Sequence, residues 1–274
     1  MPNDKILVKD DITDEMQAKV VMARINEVIR PSYNLRDLTR AIDTGERIHI
    51  SYPLTTKRVQ GQRDVKELQE AAISSQAYDH IDETLHKNVT HIVLSAESQL
   101  SAEENIWSMH VDDSALEIAH MENQDVSDVL DDMGSELAGV SDWSDNDNDP
   151  YVDIMDAATM IREEHLDPNV IAMEPGLYAE FVSNQNIVDR FERGRTVDGS
   201  IASIAGLDIM IDTELPDDTA YVLDTAAPAM VLADGPRMIG EYTNQAAMFD
   251  GYVIADFLHV EDVIDEAVVY MDHS

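Results

Sequence analysis

Apolar residues recur at steps of three and four residues, the period of an amphipathic helix, in several parts of the chain. The clearest run spans residues 110–133 and comprises Val111, Ala115, Ile118, Ala119, Glu122, Val126, Val129, Leu130 and Met133. Only Glu122 is polar in that run, and Asp112 and Asp113 occupy the first turn, where the helix dipole favours negative charge. At 1.5 Å per residue, the predicted helix is about 35 Å long.

Residues 14–30 predict an earlier helix, with Thr13 as its cap and Pro31 as its end. The apolar face assigned to it consists of Met16, Val20, Ala23 and Val28. A short helical turn and the break at Gly45 follow.

A compact run of elements follows residue 150. A helix that places Ile154, Ala158 and Ile161 on one face is followed by a turn at Asp167–Asn169 and a buried strand from Val170 to Met173. Glu174 and Pro175 break the strand, and a further helix then begins with Leu177, Phe181 and Val182.

Alternating and β-branched runs predict strands elsewhere. Ile48 and Ile50 alternate with polar residues, and KNVTHIVLSAES (87–98) is the next strand-like run. Between them, Thr55 to Leu85 predicts an exposed excursion with a helical piece around Val65 to Ala72. From residue 199 onward the pattern is mostly strands. Residues 134–150, GSELAGVSDWSDNDNDP, predict an acidic linker.

Charge is the most unusual property of the composition. The 274 residues are 44% hydrophobic, which favours a folded chain, yet 56 acidic and only 18 basic residues give a formal charge of −38. In molar salt the Debye length falls to about 3 Å, so this self-repulsion is nearly erased. We therefore favour a protein from an extremely salt-loving organism over an acidic mesophilic protein such as a cation buffer.

The charge is unevenly distributed. Residues 1–90 contain 13 basic and 15 acidic residues, whereas residues 91–274 contain 5 basic and 41 acidic residues. Within 24–63 the balance is positive, owing to Arg24, Arg30, Arg36, Arg40, Arg47, Lys57, Arg58 and Arg63. A basic stripe can bind nucleic acid, but this one lacks interleaved aromatic residues and a helix-turn-helix pattern. Contact with acidic surfaces of neighbouring copies is favoured over nucleic acid, and nucleic acid remains the second possibility.

The same asymmetry leads to an expectation about assembly. Residues 1–98 should supply much of the contact between subunits while adding little to each subunit's own core. A subunit shortened by residues 1–40 should accordingly stay folded.

Cysteine and hydropathy exclude several protein classes. The chain has no cysteine, which removes disulfides, thiolate nucleophiles and most structural zinc sites. No apolar run approaches the ~18 residues of a membrane span, and MPNDKILVKD lacks a signal-peptide core. We therefore expect a soluble protein, or part of a soluble assembly, with no membrane partner.

Two segments carry a resemblance to a known family. VIAMEPGLYAEFV (170–182), followed by IAGLDIMIDTELPDDTAYVLD (204–224), resembles the helix–strand–Pro–helix unit and strand pair of tailed-phage major capsid proteins, a family that includes encapsulin shells. The closing GYVIADFLHVEDVIDEAVVYM (251–271) is similar to the family's last strand. The resemblance extends over essentially the whole chain.

The resemblance implies an α+β fold divided into five segments. These are an N-terminal arm (1–45), an extended loop (46–98), a peripheral domain with a spine helix (99–150), an axial domain (151–237) and a return strand of the peripheral domain (238–274). Many members begin with a long scaffold segment, for which a start at Met1 leaves no room. Some members cross-link a loop lysine to an asparagine of a neighbour, but no local motif marks Lys57 or Lys66, so no cross-link is carried over.

Candidate chemistry is sparse. Asp145, Asp147 and Asp149 alternate, but the sixth and twelfth positions of a calcium loop starting at Asp145 are Pro150 and Asp156 rather than glycine and glutamate, which favours an acidic linker. The chain also lacks a nucleophile elbow, a phosphate-binding glycine loop and a dinucleotide fingerprint.

The histidines do not form an evident site either. His110 and His120 share no close helix face. His259 has Asp262 or Glu261 nearby in the sequence, but nothing supplies a third metal ligand. Exposed or structural histidines are therefore favoured. Trp107 and Met109 are assigned to core anchoring. We assign no catalytic, cofactor-binding or metal-binding residue and expect a protein that is not an enzyme.

The expected function is a major capsid protein that assembles into the icosahedral shell of a haloarchaeal tailed virus. Its partners would be copies of itself in pentamers and hexamers, neighbouring capsomers, a portal, decoration proteins, and enclosed double-stranded DNA bound without sequence specificity. It would reside in the virion after assembly in the host cytoplasm. The alternatives are an encapsulin-type compartment and a halophilic enzyme or binding protein with an unrecognised site.

Overall fold

The computed structural model describes residues 14–29, 34–57, 77–95, 106–191, 201–227, 229–244 and 249–273. The α-helices are α1 (Asp14–Ile29), α2 (Ile106–Asp132), α3 (Pro150–Glu163), α4 (Pro175–Ser183) and α5 (Gln185–Phe191). Short 3₁₀ turns lie at Leu35–Leu38 and Asp265–Ala267.

The strands form three sheets. In chain order they are β1 (Thr39–Asp43), β2 (His49–Lys57), β3 (Ala77–Thr84), β4 (His86–Ser95), β5 (Ser135–Glu136), β6 (Val170–Met173), β7 (Ser203–Ile204), β8 (Leu207–Ile211), β9 (Thr219–Leu223), β10 (Met230–Asp234), β11 (Met238–Asn244), β12 (Phe249–Asp262) and β13 (Val268–Asp272). A five-stranded sheet has the order β1-β10-β12-β11, with β4 also paired to β12. A six-stranded sheet has the order β5-β13-β9-β6-β8-β7, and β2 and β3 form a separate ribbon.

Helix α2 confirms the strongest prediction from the sequence. It spans 27 residues, about 40 Å at 1.5 Å per residue, and overlaps nearly all of the predicted range 110–133. Its predicted apolar positions are buried, apart from the partly buried Val129. The one polar member of that face, Glu122, is only 1% exposed.

Helix α1 was predicted correctly, but its apolar face only in part, since Val28 alone of the predicted residues packs against the described core. The buried side chains are Val21, Ile25 and Ile29, whereas Val20 is 45% exposed. Adjacent residues on a helix point about 100° apart, so the pattern offers two neighbouring apolar stripes, and packing against α2 selects one of them.

Local signals determine where α3 and α4 begin. Asp149 caps α3 by accepting a hydrogen bond from the Tyr151 amide, and Pro150 follows at the first helical position. Glu174 caps α4 by accepting from the Leu177 amide at 3.0 Å, again with a proline at the first helical position. The predicted strand–break–helix unit of 170–182 is thereby confirmed.

A first hydrophobic cluster forms where α1, α2 and the five-stranded sheet meet, and it contains Tyr252 and Ile254 of β12. Another lies under the second half of α2 and joins the two large sheets, since Leu232 and Leu258 pack there with Tyr221 and Val268. The third lies between the six-stranded sheet and α3 to α5.

The acidic linker predicted at 134–150 is not a linker. Its Trp143 is fully buried in the third cluster, and the Trp143 indole Nε1 donates to Asp153 at 3.0 Å. Strand β5 lies in the same segment and pairs with β13. The acidic composition concealed the fold because the carboxylates bind within local turns, as Asp142 and Asp145 do, while Trp143 anchors the segment in the core.

The sheets do not follow the five predicted segments. Strand β10 falls in the predicted axial segment yet lies in the five-stranded sheet, and β13 falls in the predicted return strand yet lies in the six-stranded sheet. The closing segment 251–271 is therefore two strands, not one. The predicted strand pair of 204–224 is separated by β6, which lies between β8 and β9. Residues 58–76, including the predicted helical piece, lie outside the described residues.

Candidate assembly surfaces

The N-terminal segment is built into its own subunit. Val21, Ile25 and Ile29 of α1 pack with residues of α2 in one cluster, and Leu35 and Leu38 are buried in another. Strand β1 pairs in parallel with β10, and β4 pairs with β12. The expectation that residues 1–98 add little to the subunit's own core is therefore wrong for the described parts of that range.

Two arginines of the basic segment are also bound within the subunit. Arg24 donates from Nε and Nη2 to the Asp112 carboxylate at 2.7 and 2.8 Å, which holds the pKa of Asp112 below its usual range. Arg36 contacts Glu122 at 3.3 Å and also pairs with Asp234. These pairs neutralise acids of the same copy rather than those of a neighbour.

The remaining basic residues of that segment differ in position. Arg40 and Arg47 are exposed. The side chain of Lys57 and the whole of Arg30, Arg58 and Arg63 lie outside the described residues. The continuous basic stripe suggested by the sequence is therefore interrupted at Arg24 and Arg36.

A partly buried charge cluster lies between α2 and the five-stranded sheet. It comprises Arg36, Glu122, Asp234, Arg237 and Asp256, in which Arg36 pairs with Glu122 and Asp234, and Arg237 pairs with Asp256. Arg237 also donates to Asn26 of α1 at 2.8 Å, which ties that helix to the sheet. Burial raises the pKa of Asp256, and the adjacent Arg237 guanidinium opposes that rise.

The ribbon of β2 and β3 stands apart from both large sheets in its hydrogen bonding. The Leu85 amide donates to the Ile48 carbonyl at 2.9 Å where the ribbon begins. Side chains from the ribbon root and the five-stranded sheet line a shallow groove there: Ile50, Glu83, Val231, Ala233, His259, Glu261 and Val263. A two-stranded ribbon is marginally stable by itself, so it gains stability from packing on another surface.

The histidines singled out in the sequence form pairs rather than a cluster. His120 Nδ1 lies 2.8 Å from Glu214, and His259 Nε2 lies 2.9 Å from Glu261. His110 and Asp262 are exposed. His86, which the sequence did not single out, contacts Asp125 at 3.0 Å, and that hydrogen bond raises its pKa. Met109 is 61% exposed, so its assignment to the core was wrong.

The alternating aspartates serve local structure. Asp145 accepts from the Asp147 amide at 3.0 Å, and Asp149 binds both terminal nitrogens of Arg190 at 2.5 and 2.6 Å. Asp147 and Asp156 are exposed. In the described part of the chain, no group of three or more His, Asp or Glu side chains is close enough to hold a metal ion.

Asn184 organises the same loop and was missed in the sequence. Its side-chain amide donates to the carbonyls of Trp143, Asp145 and Asn148 at 3.0, 3.1 and 3.3 Å. No sequence signal indicates these contacts, because the partners are backbone atoms about 40 positions away.

Among the helices described, none is long and apolar enough to span a membrane.

Comparison with known proteins places this geometry in a known fold. No family model matches the sequence, and no curated protein does so either. A structure from Mycobacterium phage Che8 matches with a TM-score of 0.66 at 13% identity, covering 91% of this chain and 90% of that one. The capsid structure of cyanophage P-SCSP1u matches with a TM-score of 0.66 at 12% identity, covering 86% of each chain. A virus-like particle from Pyrococcus furiosus matches with a TM-score of 0.63 at 9% identity, covering 93% of this chain and 99% of that one.

The fold is that of tailed-phage major capsid proteins. The predicted α+β fold class is thereby confirmed. At these sequence identities the structural similarity shows the fold alone. The function of the protein is inferred from its surfaces and its charge.

Proposed function

We propose that this chain is a major capsid protein that self-assembles into an icosahedral shell around double-stranded DNA. The observation that carries the proposal is the extent of the structural match, since 86% of the chain aligns with 86% of a cyanophage capsid chain.

Each part of the fold has a role in the proposed shell. The ribbon within 46–98 is the extended loop, α2 is the spine helix, and the five-stranded sheet with α1 and α2 is the peripheral domain. The six-stranded sheet with α3 to α5 is the axial domain, and it takes β13 from the chain end. The axial domains meet around five-fold and six-fold axes, because contacts between unlike surfaces that close on themselves produce rings.

The remaining partners follow from this role. Pentamers and hexamers contact neighbouring capsomers, and a portal and decoration proteins are further partners. DNA fills the interior without sequence-specific contacts. The protein resides in the virion after assembly in the host cytoplasm, and it performs no catalytic step.

The charge supports a host that lives in concentrated salt, and we assign the virus to a haloarchaeon. A formal charge of −38 per copy, multiplied over a shell, is tolerated where the Debye length is about 3 Å. Short carboxylate side chains also expose less apolar stem than lysine does, and the last of the six lysines is Lys87.

Electron microscopy of the purified protein tests the proposal. In about 2–3 M salt, a regime of strong screening, negative staining should show closed particles of uniform size, and light scattering should give the same mass. A small oligomer under all salt conditions would refute the shell function and favour a halophilic enzyme or binding protein.

An encapsulin-type compartment is the second candidate, because the chain covers 99% of the virus-like particle subunit from Pyrococcus furiosus. The contents of particles isolated from the native source distinguish the two functions. Nuclease-protected DNA of uniform length supports the virus, whereas a packaged protein with little DNA supports the compartment.

A further inference from the structure

The two faces of the five-stranded sheet have different surroundings. Along β12, alternate residues point to opposite faces. Tyr252, Ile254, Asp256, Leu258 and Val260 are buried towards the helices, where the four apolar ones join the hydrophobic clusters. The residues between them point to the other side, which we call the outer face.

The outer face is continuous across three strands. The register aligns Lys87 with Phe257, Val89 with Ala255 and Met238, His91 with Val253 and Gly240, and Val93 with Gly251. None of these residues belongs to the hydrophobic clusters of the described chain. Met238 is 53% exposed and Val93 is 40% exposed, whereas Ala255 is buried and Val89, Val253 and Phe257 are partly buried. The face is therefore open in the single subunit at Met238 and Val93.

Farther along β12, the same alternation places His259 and Glu261 on this side, where they lie 2.9 Å apart and line the groove at the ribbon root. The ten positions named above, which end at Phe257, contain no carboxylate. They consist of apolar residues and glycines together with His91 and Lys87, whose ammonium lies 5.9 Å from the centre of the Phe257 ring. The solvent side of α2 is the opposite case, with exposed acids at Asp113, Glu117, Asp128, Asp131 and Asp132. The solvent side of α2 is therefore acidic, whereas the outer face of the five-stranded sheet is apolar and carries a positive charge.

A solvent-facing surface of this protein would be expected to resemble the side formed by α2. Contiguous exposed apolar residues are a mark of an interaction site, and a lysine among them attracts negative charge. The partner must therefore combine apolar contact with carboxylates. A second copy of this chain meets that requirement, since residues 91–274 carry 41 acidic and only 5 basic residues.

We propose that the outer face, formed by β4, β11 and β12, binds an acidic surface of a second copy of this chain. The contact joins unlike surfaces, so it propagates from copy to copy in the way that a ring requires. The absence of carboxylates at its ten named positions keeps like charges from facing each other across the contact. This inference rests on the proposed self-assembly and identifies one of its contact surfaces.

Paired substitutions at Met238 test the sign of the partner's charge. Met238→Asp should raise the protein concentration needed for assembly by about tenfold or more, because it places a carboxylate against carboxylates. Met238→Lys should assemble at the wild-type concentration or below. Val93→Asp and Val93→Lys repeat the comparison on β4, and all variants are assayed at the lowest salt at which the wild type assembles. Circular dichroism confirms that each variant folds.

A matched control addresses added charge in general. Leu116 on α2 is also apolar and is 49% exposed, and Leu116→Asp should assemble as the wild type does. Loss of assembly in Leu116→Asp would overturn the assignment, because a single charge would then block assembly wherever it lies.

The other outcomes are equally decisive. If the Asp and Lys variants both assemble normally, the face is open to solvent and the assignment is wrong. If both fail, the contact is purely apolar and the acidic partner is refuted. Wild-type protein that forms only small oligomers, which the Asp variants lack, would refute the shell function while retaining the contact.

Discussion

At the scale of single residues, a charge pair with a buried carboxylate helps to hold the N-terminal segment. Arg36 and Glu122 are 86 positions apart, and the Glu122 side chain is only 2% exposed. A carboxylate at that depth is tolerated because a guanidinium accompanies it. The pair therefore couples the chain before β1 to the centre of α2.

Removing one partner of this pair should be costly. Arg36→Met leaves Glu122 buried without its guanidinium, and we expect the free energy of unfolding to fall by about 3 kcal/mol or more. The double variant Arg36→Met with Glu122→Met should lose much less. Equilibrium unfolding of the wild type, Arg36→Met, Glu122→Met and the double variant measures the coupling, and equal losses in the single and double variants would contradict it.

The exposed Arg24–Asp112 pair provides the comparison. Its arginine side chain is 44% exposed, and solvent-exposed pairs contribute about 1 kcal/mol or less. Arg24→Met should therefore change stability far less than Arg36→Met does.

His273 gives the subunit a pH-dependent contribution. Its ring lies 4.3 Å from the Trp143 ring, and burial lowers its pKa although its Nδ1 bonds to the Ser141 carbonyl. The unfolded chain thus takes up a proton below about pH 6.5 that the folded chain resists. This contribution is complete above that pH and is lost as the pH falls.

Replacing the imidazole tests that contribution. His273→Gln should show a smaller drop in Tm between about pH 8 and about pH 5 than the wild type. His110→Gln, a change at an exposed site, should retain the wild-type drop. The same drop in all three proteins would exclude His273 as a source of the pH dependence.

At the scale of elements, α2 is the part on which both sheets depend. Val126 is fully buried in the cluster that joins the two large sheets, whereas Leu116 on the same helix is 49% exposed. Replacing each residue with Asp therefore compares a buried and an exposed position on the same helix.

Val126→Asp should destabilise the subunit by several kcal/mol, because it buries a carboxylate without a partner. Leu116→Asp should leave the free energy of unfolding within about 0.5 kcal/mol of wild type. Thermal unfolding of both variants in the same salt measures the difference. Similar Tm values would mean that the apolar face of α2 is not part of a packed core.

Helix α1 and the turn at Leu35–Leu38 are elements of the same core. Deleting residues 1–40 removes five buried apolar side chains: Val21, Ile25, Ile29, Leu35 and Leu38. We expect the shortened chain to be insoluble or unfolded, since each lost side chain costs several kcal/mol. A folded, soluble monomer by circular dichroism and size-exclusion chromatography would show that the rest of the subunit is self-sufficient.

At the scale of the whole molecule, net charge governs assembly. Copies that each carry −38 repel one another strongly once the Debye length grows to about 10 Å near 0.1 M salt. Light scattering during dialysis from molar to dilute salt should therefore record dissociation or unfolding. Particles that remain intact after long exposure to dilute buffer would contradict this view of the acidic surface.

What the sequence alone determined was local. The period of the apolar positions located α2 and α1, and the proline breaks located the start of α4. The segments 170–182, 204–224 and 251–271 indicated the fold class through their resemblance to a known family. Each of these signals lies within a few residues of the element that it predicts, so the chain carries it without reference to the rest of the molecule.

What only the tertiary structure decided was which surfaces meet. The pattern of α1 allowed two apolar stripes, and packing on α2 chose the one with Ile25. Composition marked 134–150 as a linker, yet Trp143 holds that segment in the core. The arginine that neutralises Glu122, Arg36, lies 86 positions away in the chain. Burial and charge pairing depend on three-dimensional neighbours, and sequence periodicity contains no information about which neighbours a face will have.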